Sequence, residues 1–247
     1  MRDETVTYGA DGVTLKSRLF YEDHGAPRPA VLVFPEAFGL GDHALSRAQR
    51  LAEMGYVSLA CDIHGNGLLL KQLDEAVGLL RPLYEDRKRM RARGLAALEL
   101  LTRRREVDPR CVASIGFCFG GTMSLELARG GADIKAVVGF HSGLSTNAPS
   151  TRLIRSRILV CIGADDPFIV PDERAAFEAE MRKAGADWQM HLYGGTVHSF
   201  TNRDADARGR LEAMRYSAEA DARSWASMQE LFSQALSQAA ADRGPLV

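Results

Sequence analysis

The sequence predicts an α/β fold: a mostly parallel central sheet with helices on both faces and an antiparallel hairpin at the N-terminus. The first observation behind this prediction is a short, continuous apolar run at 30–34, which is typical of a strand buried on both faces of a parallel sheet. The second is that runs of the same kind recur along the chain, at 57–61, 111–115, 136–140, 158–162 and 189–193. The third is that helix-like segments separate most of these runs, which indicates βαβ units.

Local signals predict the remaining elements. Residues 5–8 and 13–21 alternate between apolar and polar side chains around Asp11 and Gly12, which predicts the hairpin. Asp42 is the predicted N-cap of the first of five helical stretches, at about 43–54, 72–80, 86–105, 120–129 and 172–184. A last helix is predicted over 209–238, because apolar residues recur there near a 3.6-residue period: Met214, Ala218, Trp225, Met228, Phe232 and Leu236.

Composition is that of an ordinary globular protein. The chain has 247 residues, 46% hydrophobic and 26% charged, which suits a single domain spanning 1–247. Its 31 lysines and arginines nearly balance 32 acidic residues, so the overall charge attracts neither nucleic acid nor an anionic membrane. We find neither the pattern of a signal peptide at the polar start nor a run of about 20 apolar residues that would span a membrane.

The cysteines and histidines limit the chemistry further. The four cysteines are widely spaced and fit neither a zinc site nor a disulfide framework: Cys61, Cys111, Cys118 and Cys161. The six histidines lack a metal-ligand spacing such as His-x-x-x-His. We therefore expect no metal and no other cofactor, and a reducing, cytoplasmic location that suits a reactive thiol.

The most informative motif is Gly-x-Cys-x-Gly-Gly at 116–121, which places Cys118 between a predicted strand and a predicted helix. This pattern is the thiol form of the nucleophile elbow, in which small residues on both sides permit a sharp turn. Unpaired N–H groups and the helix dipole favour an anion at such a helix N-terminus. Because a buried structural cysteine also fits the motif, further residues have to support a catalytic role.

Polar residues that follow apolar runs are the other candidates, since ligands of open parallel sheets bind beyond the carboxyl ends of the strands. Asp166 follows one such run, and His198 lies in a glycine-rich loop after another. Cysteine, acid and histidine in this order match the chain order of α/β-hydrolases. The order predicts an α/β-hydrolase fold with a Cys118–His198–Asp166 triad. Asp165 competes for the acid role, and the spacing to Pro167 favours Asp166.

Each residue type in this triad has a chemical task. His198 would take the thiol proton and later return a proton to the leaving group. The carboxylate of Asp166 would hold the imidazole in the required tautomer. Two backbone N–H groups, those of Phe119 and Ala37, would form the oxyanion hole that stabilises the tetrahedral intermediate.

Four motifs together resemble the dienelactone hydrolase family, the cysteine branch of the α/β-hydrolase fold. They lie at 34–40, 116–121, 163–167 and 193–200, and the resemblance covers essentially the whole chain. It implies a cofactor-free, carboxymethylenebutenolidase-like hydrolase that opens a small lactone or ester through a thioester on the cysteine. It also gives Glu36 a role. In the family this glutamate lies against the resting thiol and holds it unreactive, and it assists thiol deprotonation once a substrate carboxylate displaces it.

One part of the family pattern is missing. Dienelactone hydrolases of chloroaromatic degradation bind the substrate carboxylate with two arginines, one of them four residues after the catalytic histidine. Asn202 occupies that position here, with Arg203 next to it. Arg81 and Arg87 are candidates for the second arginine, and a solvated helix face is the alternative place for both. His141, at the end of a predicted strand, either faces the pocket or forms a structural hydrogen bond.

Three functions therefore stay open. The leading one is hydrolysis of a small lactone or ester, and Asn202 favours the alternative of a carboxylesterase or thioesterase with a neutral substrate. More distant is a non-catalytic protein that uses Cys118 as a redox-sensing thiol. We expect a small-molecule substrate, no nucleic-acid or membrane partner, and a monomer or homodimer. The segment 64–83 is the least constrained by pattern and is expected to shape specificity.

Overall fold

The computed structural model describes residues 1–23 and 25–241. Its strands are β1 (Arg2–Ala10), β2 (Val13–Tyr21), β3 (Arg28–Phe34), β4 (Val57–Ala60), β5 (Val107–Phe117), β6 (Ala136–Phe140), β7 (Arg157–Gly163) and β8 (Asp187–Tyr193). They form one sheet in the order β1-β2-β4-β3-β5-β6-β7-β8. β1, β2 and β4 pair antiparallel, and the other neighbours pair parallel. The predicted α/β fold with its antiparallel N-terminal hairpin is confirmed.

The helices are α1 (Asp42–Glu53), α2 (Leu73–Glu85), α3 (Arg87–Thr102), α4 (Phe119–Arg129), α5 (Pro171–Lys183) and α6 (Ala218–Ala241). The prediction of Asp42 as an N-cap is wrong by one residue, because Gly41 occupies that position and Asp42 is the first helical residue. Asp86 separates α2 from α3 and caps the latter by accepting a hydrogen bond from the N–H of Lys88 at 2.9 Å. The second helix therefore runs beyond its predicted end at 80, as far as Glu85.

The predicted last helix over 209–238 is wrong at its N-terminal end. A short 3-10 turn over Asp206–Arg208 ends at Gly209, which has a φ of 70°, and α6 begins only at Ala218. The intervening segment pairs with the loop after β8, since His198 and Met214 form a parallel bridge. Met214 therefore contributes an apolar side chain near that loop and not to a helix. Trp225 and Phe232 belong to α6, as predicted.

The sheet separates two hydrophobic clusters. One cluster joins the sheet to α2–α5 through residues such as Leu80, Leu127 and Phe177. The other joins it to α1 and α6, with Trp225 and Phe232 fully covered. Burial on both faces explains why the central strands are continuously apolar. Within the described residues, no helix combines the length and apolarity needed to cross a membrane.

Candidate active site

Cys118 lies at a sharp turn between β5 and α4. It is the N-cap of α4, and its φ of 52° and ψ of −119° lie outside the regions that L-residues favour. The neighbouring glycines are required by close contacts. A Cβ on Gly120 would overlap the carbonyl oxygen of Phe34, and one on Gly121 would overlap Oγ of Ser142. The motif at 116–121 therefore forms the strained strand–turn–helix geometry of a nucleophile elbow.

His198 and Asp166 form a pair beside this turn. The imidazole Nδ1 and the carboxylate Oδ2 are 2.7 Å apart, and both side chains are buried. The other oxygen of Asp166 accepts a hydrogen bond from the N–H of Phe168 at 2.9 Å, which fixes the carboxylate. Asp165 is exposed. Of the two adjacent acids, Asp166 is thus the one that faces the histidine.

Two aromatic rings pack against the imidazole of His198. Phe168 and His141 both contact it edge to face, with ring centroids 5.2 Å and 5.0 Å away. Burial opposes a charged imidazole, but interactions with Cys118 and Asp166 outweigh it and raise the pKa of His198 to about 10. A raised pKa makes the imidazole a stronger base, so the ring can take and hold the proton of the Cys118 thiol.

Cys118, His198 and Glu36 all line one cavity of about 460 Å³. Ala37 and Phe119 lie in the same wall. Because Phe119 is the first residue of α4, its N–H has no partner within the helix and is free to meet a ligand oxygen. A volume of this size accommodates a small organic substrate. One face of α2 also lines the cavity, with residues that lie on one side of the helix: Leu73, Val77, Leu80, Arg81 and Tyr84.

Glu36 is buried and tightly hydrogen-bonded. Its Oε1 accepts from Oγ of Ser199 at 2.9 Å, and its Oε2 accepts from Nδ2 of Asn202 and Nη2 of Arg208, each at 2.6 Å. Burial opposes the charge, but His43 and Arg208 lower the pKa of Glu36 far below its ordinary value. The resemblance implies a glutamate that rests against the thiol. In the structure these three donors hold the carboxylate, and Glu36 lines the same cavity as Cys118.

The residues predicted to bind substrate divide into two groups. Arg81 lines the cavity, and its contact with a substrate stays a prediction. Asn202 is buried and directs its amide to Glu36, so its effect on a ligand is indirect. Arg203 is exposed and lies over the ring of Tyr216 at 6.0 Å, outside the cavity wall. The sequence-based placement of Arg203 at the substrate site is therefore corrected, because its guanidinium lies over Tyr216 and does not line the cavity.

His141 and Arg87 are also structural rather than substrate-facing. His141 is fully buried, and its Nε2 lies 2.8 Å from the hydroxyl of Thr201. Burial lowers the pKa of His141 well below 6.5, so a neutral ring packs behind His198. Arg87 is buried beside Glu126 and donates to the carbonyl of Ser145 at 3.2 Å. Neither side chain is available to a substrate, which corrects the pocket-facing option for His141.

Sequence reasoning missed Arg208, the guanidinium that lies beside Glu36 in the cavity. Arg208 follows His198 in the chain and lies in the 3-10 turn just before the wrongly predicted helix. Its guanidinium also lies over the ring of Phe38 at 4.7 Å. No local pattern marks an arginine in such a turn. A search for arginines in the whole loop after the histidine, instead of at one fixed spacing, would have found it.

Comparisons with known proteins agree with this geometry. The model of the dienelactone hydrolase family matches residues 17–236. A solved structure named m3DLH is 42% identical, with a TM-score of 0.89 over 95% of this chain and 98% of that chain. A dienelactone hydrolase-like promiscuous phosphotriesterase from metagenomic libraries is 41% identical, with the same TM-score of 0.89 and coverages of 95% and 98%.

A curated relative gives the same result at lower identity. The carboxymethylenebutenolidase of a Pseudomonas species is 30% identical over 189 residues, which are 70% of this chain and 74% of the relative. With the sheet order, the elbow and the family match together, the chain belongs to the dienelactone hydrolase family, a family of hydrolases with the α/β-hydrolase fold.

Proposed function

We propose that this protein is a cofactor-free hydrolase that opens a small lactone or ester through a thioester on Cys118. One observation carries the proposal: the strained elbow residue Cys118 lines the same cavity as His198, whose imidazole lies 2.7 Å from the carboxylate of Asp166. A nucleophile, a base and an acid that orients the base are the three parts that acyl transfer requires. A reducing cytoplasm would keep the thiol of Cys118 free for this task.

The first half of the reaction forms the thioester. His198 accepts the thiol proton while the sulfur of Cys118 attacks the carbonyl carbon. The N–H groups of Phe119 and Ala37 donate to the oxyanion as it develops. The intermediate then breaks its bond to the alcohol oxygen, which takes a proton from His198. In a lactone this oxygen stays in the same molecule, so the ring opens and the product remains attached to the sulfur.

The second half releases the acid. His198 takes a proton from water, and the resulting hydroxide attacks the thioester carbon at the same oxyanion site. The carbon–sulfur bond breaks, and the proton on His198 returns to the sulfur. Asp166 stays ionised throughout and keeps Nδ1–H of the imidazole pointing towards itself.

Arg208 and Arg81 supply the positive charge that an acidic lactone needs. Both line the cavity, and Arg208 is at present paired with Glu36 at 2.6 Å. A substrate carboxylate would compete with Glu36 for this guanidinium, because a charged hydrogen bond is favourable for either anion. A negatively charged substrate would thus displace Glu36 from Arg208, and a neutral substrate would not.

The test is hydrolysis of cis- and trans-dienelactone by the purified protein, with Cys118→Ala measured alongside. We expect saturable turnover that disappears in the variant, since acyl transfer loses its nucleophile. Turnover that survives the substitution would refute the thioester mechanism. Loss of turnover on substitution would also argue against a protein that uses Cys118 only as a redox sensor.

A neutral ester is the second candidate substrate, and the Glu36–Arg208 pair favours it. With Arg208 already neutralised by a buried carboxylate, a neutral substrate binds without breaking an ion pair. The metagenomic relative is described as a promiscuous phosphotriesterase, and a neutral phosphotriester would suit the same largely apolar cavity.

Arg208→Ala separates the two candidates. If acidic lactones are the substrates, the variant should lower the ratio of kcat/KM for dienelactone to that for a neutral aryl ester by about 10- to 100-fold, the value of a charged hydrogen bond. Arg203→Ala is the control, because its side chain lies outside the cavity. An unchanged ratio would move the assignment to neutral esters.

A further inference from the structure

Helix α2 covers the cavity with one face, and that face is mainly apolar. Leu73, Val77 and Leu80 are followed on the same face by Arg81 and Tyr84. This spacing is the i, i+4, i+7 pattern of one helix stripe. Leu80 also belongs to the hydrophobic core, whereas Val77 has 47% of its surface exposed. The open apolar surface that Val77 adds to the helix therefore lies where the cavity is.

Val77 has a matched neighbour that points elsewhere. Leu79, on the same helix, is also 47% exposed, but it does not line the cavity. Two apolar residues with equal exposure thus differ in whether a ligand can cover them. Concave apolar surface that stays uncovered is typical of a ligand site, because burying it in a complex is favourable.

The chemistry tells which part of the substrate lies against α2. His198 must reach the oxygen of the leaving group, so that group lies on the histidine side of the cavity. Phe168 contacts the imidazole with its ring and Met214 pairs with the histidine backbone, so both bound that side. The acyl part points away from it. Tyr84 contacts Phe119 edge to face at 5.2 Å, which places the α2 face next to the oxyanion donor.

We propose that the α2 face is the acyl-binding subsite, and that Val77 sets a preference for substrates whose acyl part is an extended apolar chain. The inference rests on the proposed thioester mechanism, because it assumes that the acyl carbon is attached to Cys118. An acyl chain against Val77 and Leu73 leaves water and buries apolar area on both sides. Each added methylene that is fully buried raises kcat/KM by about fourfold.

The experiment compares p-nitrophenyl acetate, butyrate and hexanoate, so that the leaving group is constant and only the acyl chain changes. We expect kcat/KM to rise with chain length in the unmodified protein. Val77→Asp should cancel this rise and lower kcat/KM for hexanoate about tenfold or more relative to acetate, because a charge then faces the chain. Leu79→Asp is the control and should leave the whole series unchanged.

Val77→Ser serves if the aspartate variant does not fold, and it should flatten the series in the same direction. A second readout needs no turnover: the rate at which N-alkyl iodoacetamides of increasing chain length alkylate Cys118. It should rise with chain length in the unmodified protein and lose that dependence in Val77→Asp. The thermal midpoints of all variants show whether each one is folded.

The outcomes distinguish this inference from the proposed function. Turnover that survives Cys118→Ala overturns the thioester mechanism itself. Turnover that needs Cys118 but is independent of acyl length overturns the acyl subsite alone. An equal response to Val77→Asp and Leu79→Asp overturns it too.

Discussion

His198 is the residue on which the polar contacts of the site converge. Asp166 fixes one nitrogen, Cys118 lies next to the ring, and Phe168 and His141 hold its two sides. A ring restrained in this way loses little freedom when it meets a substrate, so it is ready for proton transfer. Asp165, the neighbour of Asp166, has a similar place in the sequence but faces solvent.

Asp166→Asn should reduce kcat by on the order of 10³–10⁴-fold with little change in KM. The side-chain amide introduced by this substitution would donate to Nδ1 and thereby favour the tautomer that cannot accept the thiol proton. Asp165→Asn is the matched control, and we expect it to leave kcat unchanged. Steady-state kinetics on one ester substrate provide the measurement; equal losses in both variants would contradict the assignment of Asp166.

His198 should also make folding stability depend on pH. Its pKa is raised from 6.5 to about 10, so the folded protein holds a proton that the unfolded chain releases above 6.5. The resulting stabilisation is complete below 6.5 and is lost as the pH rises through about 10. Urea midpoints of the unmodified protein should therefore fall more steeply over this window than those of His198→Gln. Parallel curves would show that the imidazole has an ordinary pKa.

At the scale of elements, the glycine in the elbow is required by close packing, whereas the glycine in helix α2 is not. Gly120 in α4 lies where β3 approaches, and a Cβ there would clash with the carbonyl of Phe34. Gly78 lies in the middle of α2, and a Cβ there would meet no atom within 4 Å. The first glycine is required by packing. The second only weakens a helix.

Gly78→Ala should therefore raise the free energy of unfolding by about 0.5–1 kcal/mol, because alanine lowers the entropy cost of forming the helix. Gly120→Ala should lower it by about 1–3 kcal/mol or more, because the backbone of the elbow has to shift. Urea unfolding of both variants provides the measurement. We expect Gly78→Ala to keep full activity, and a loss of stability in that variant would contradict the open environment of Gly78.

At the scale of the whole molecule, the packing of α6 against the sheet is separate from the cavity that holds the reactive groups. Trp225 and Phe232 pack on the face of the sheet that α1 and α6 cover. Trp225 is 2% exposed, and the guanidiniums of Arg50 and Arg47 lie over its ring at 4.4 Å and 5.3 Å. The cavity is bounded by α2 and by loops at the carboxyl ends of the strands. A change in the α6 cluster should thus affect folding without altering the site.

Trp225→Ala should lower stability by about 3–5 kcal/mol, because it leaves a large cavity under α6. For a chain of this size the melting temperature should fall by about 10 °C. Below the melting temperature, kcat and KM should match those of the unmodified protein. Leu192→Ala is the control, since that leucine is 51% exposed and its loss should change stability by less than about 0.5 kcal/mol. A changed KM in Trp225→Ala would link the two faces of the sheet.

Features that depend on neighbours in the chain could be predicted from the sequence. Continuous apolar runs predict parallel strands because both faces are buried, and glycines around Cys118 predict the elbow because only small residues fit there. The order of Cys118, Asp166 and His198 follows from the order of the strands that carry them. The N-terminal end of α6 could not be predicted in this way, because Met214 mimics the helical stripe while it packs beside His198.

Features that depend on distance in space were decided only by the tertiary structure. Glu36 meets Asn202 and Arg208 across 166 and 172 positions of chain, and no local pattern encodes such a pairing. The same holds for the buried, neutral state of His141 and for the cavity under α2. The sequence by itself thus determined the fold and the order of the reactive groups. The charge around Glu36 and the shape of the substrate site arise from packing, which brings together side chains that the sequence keeps far apart.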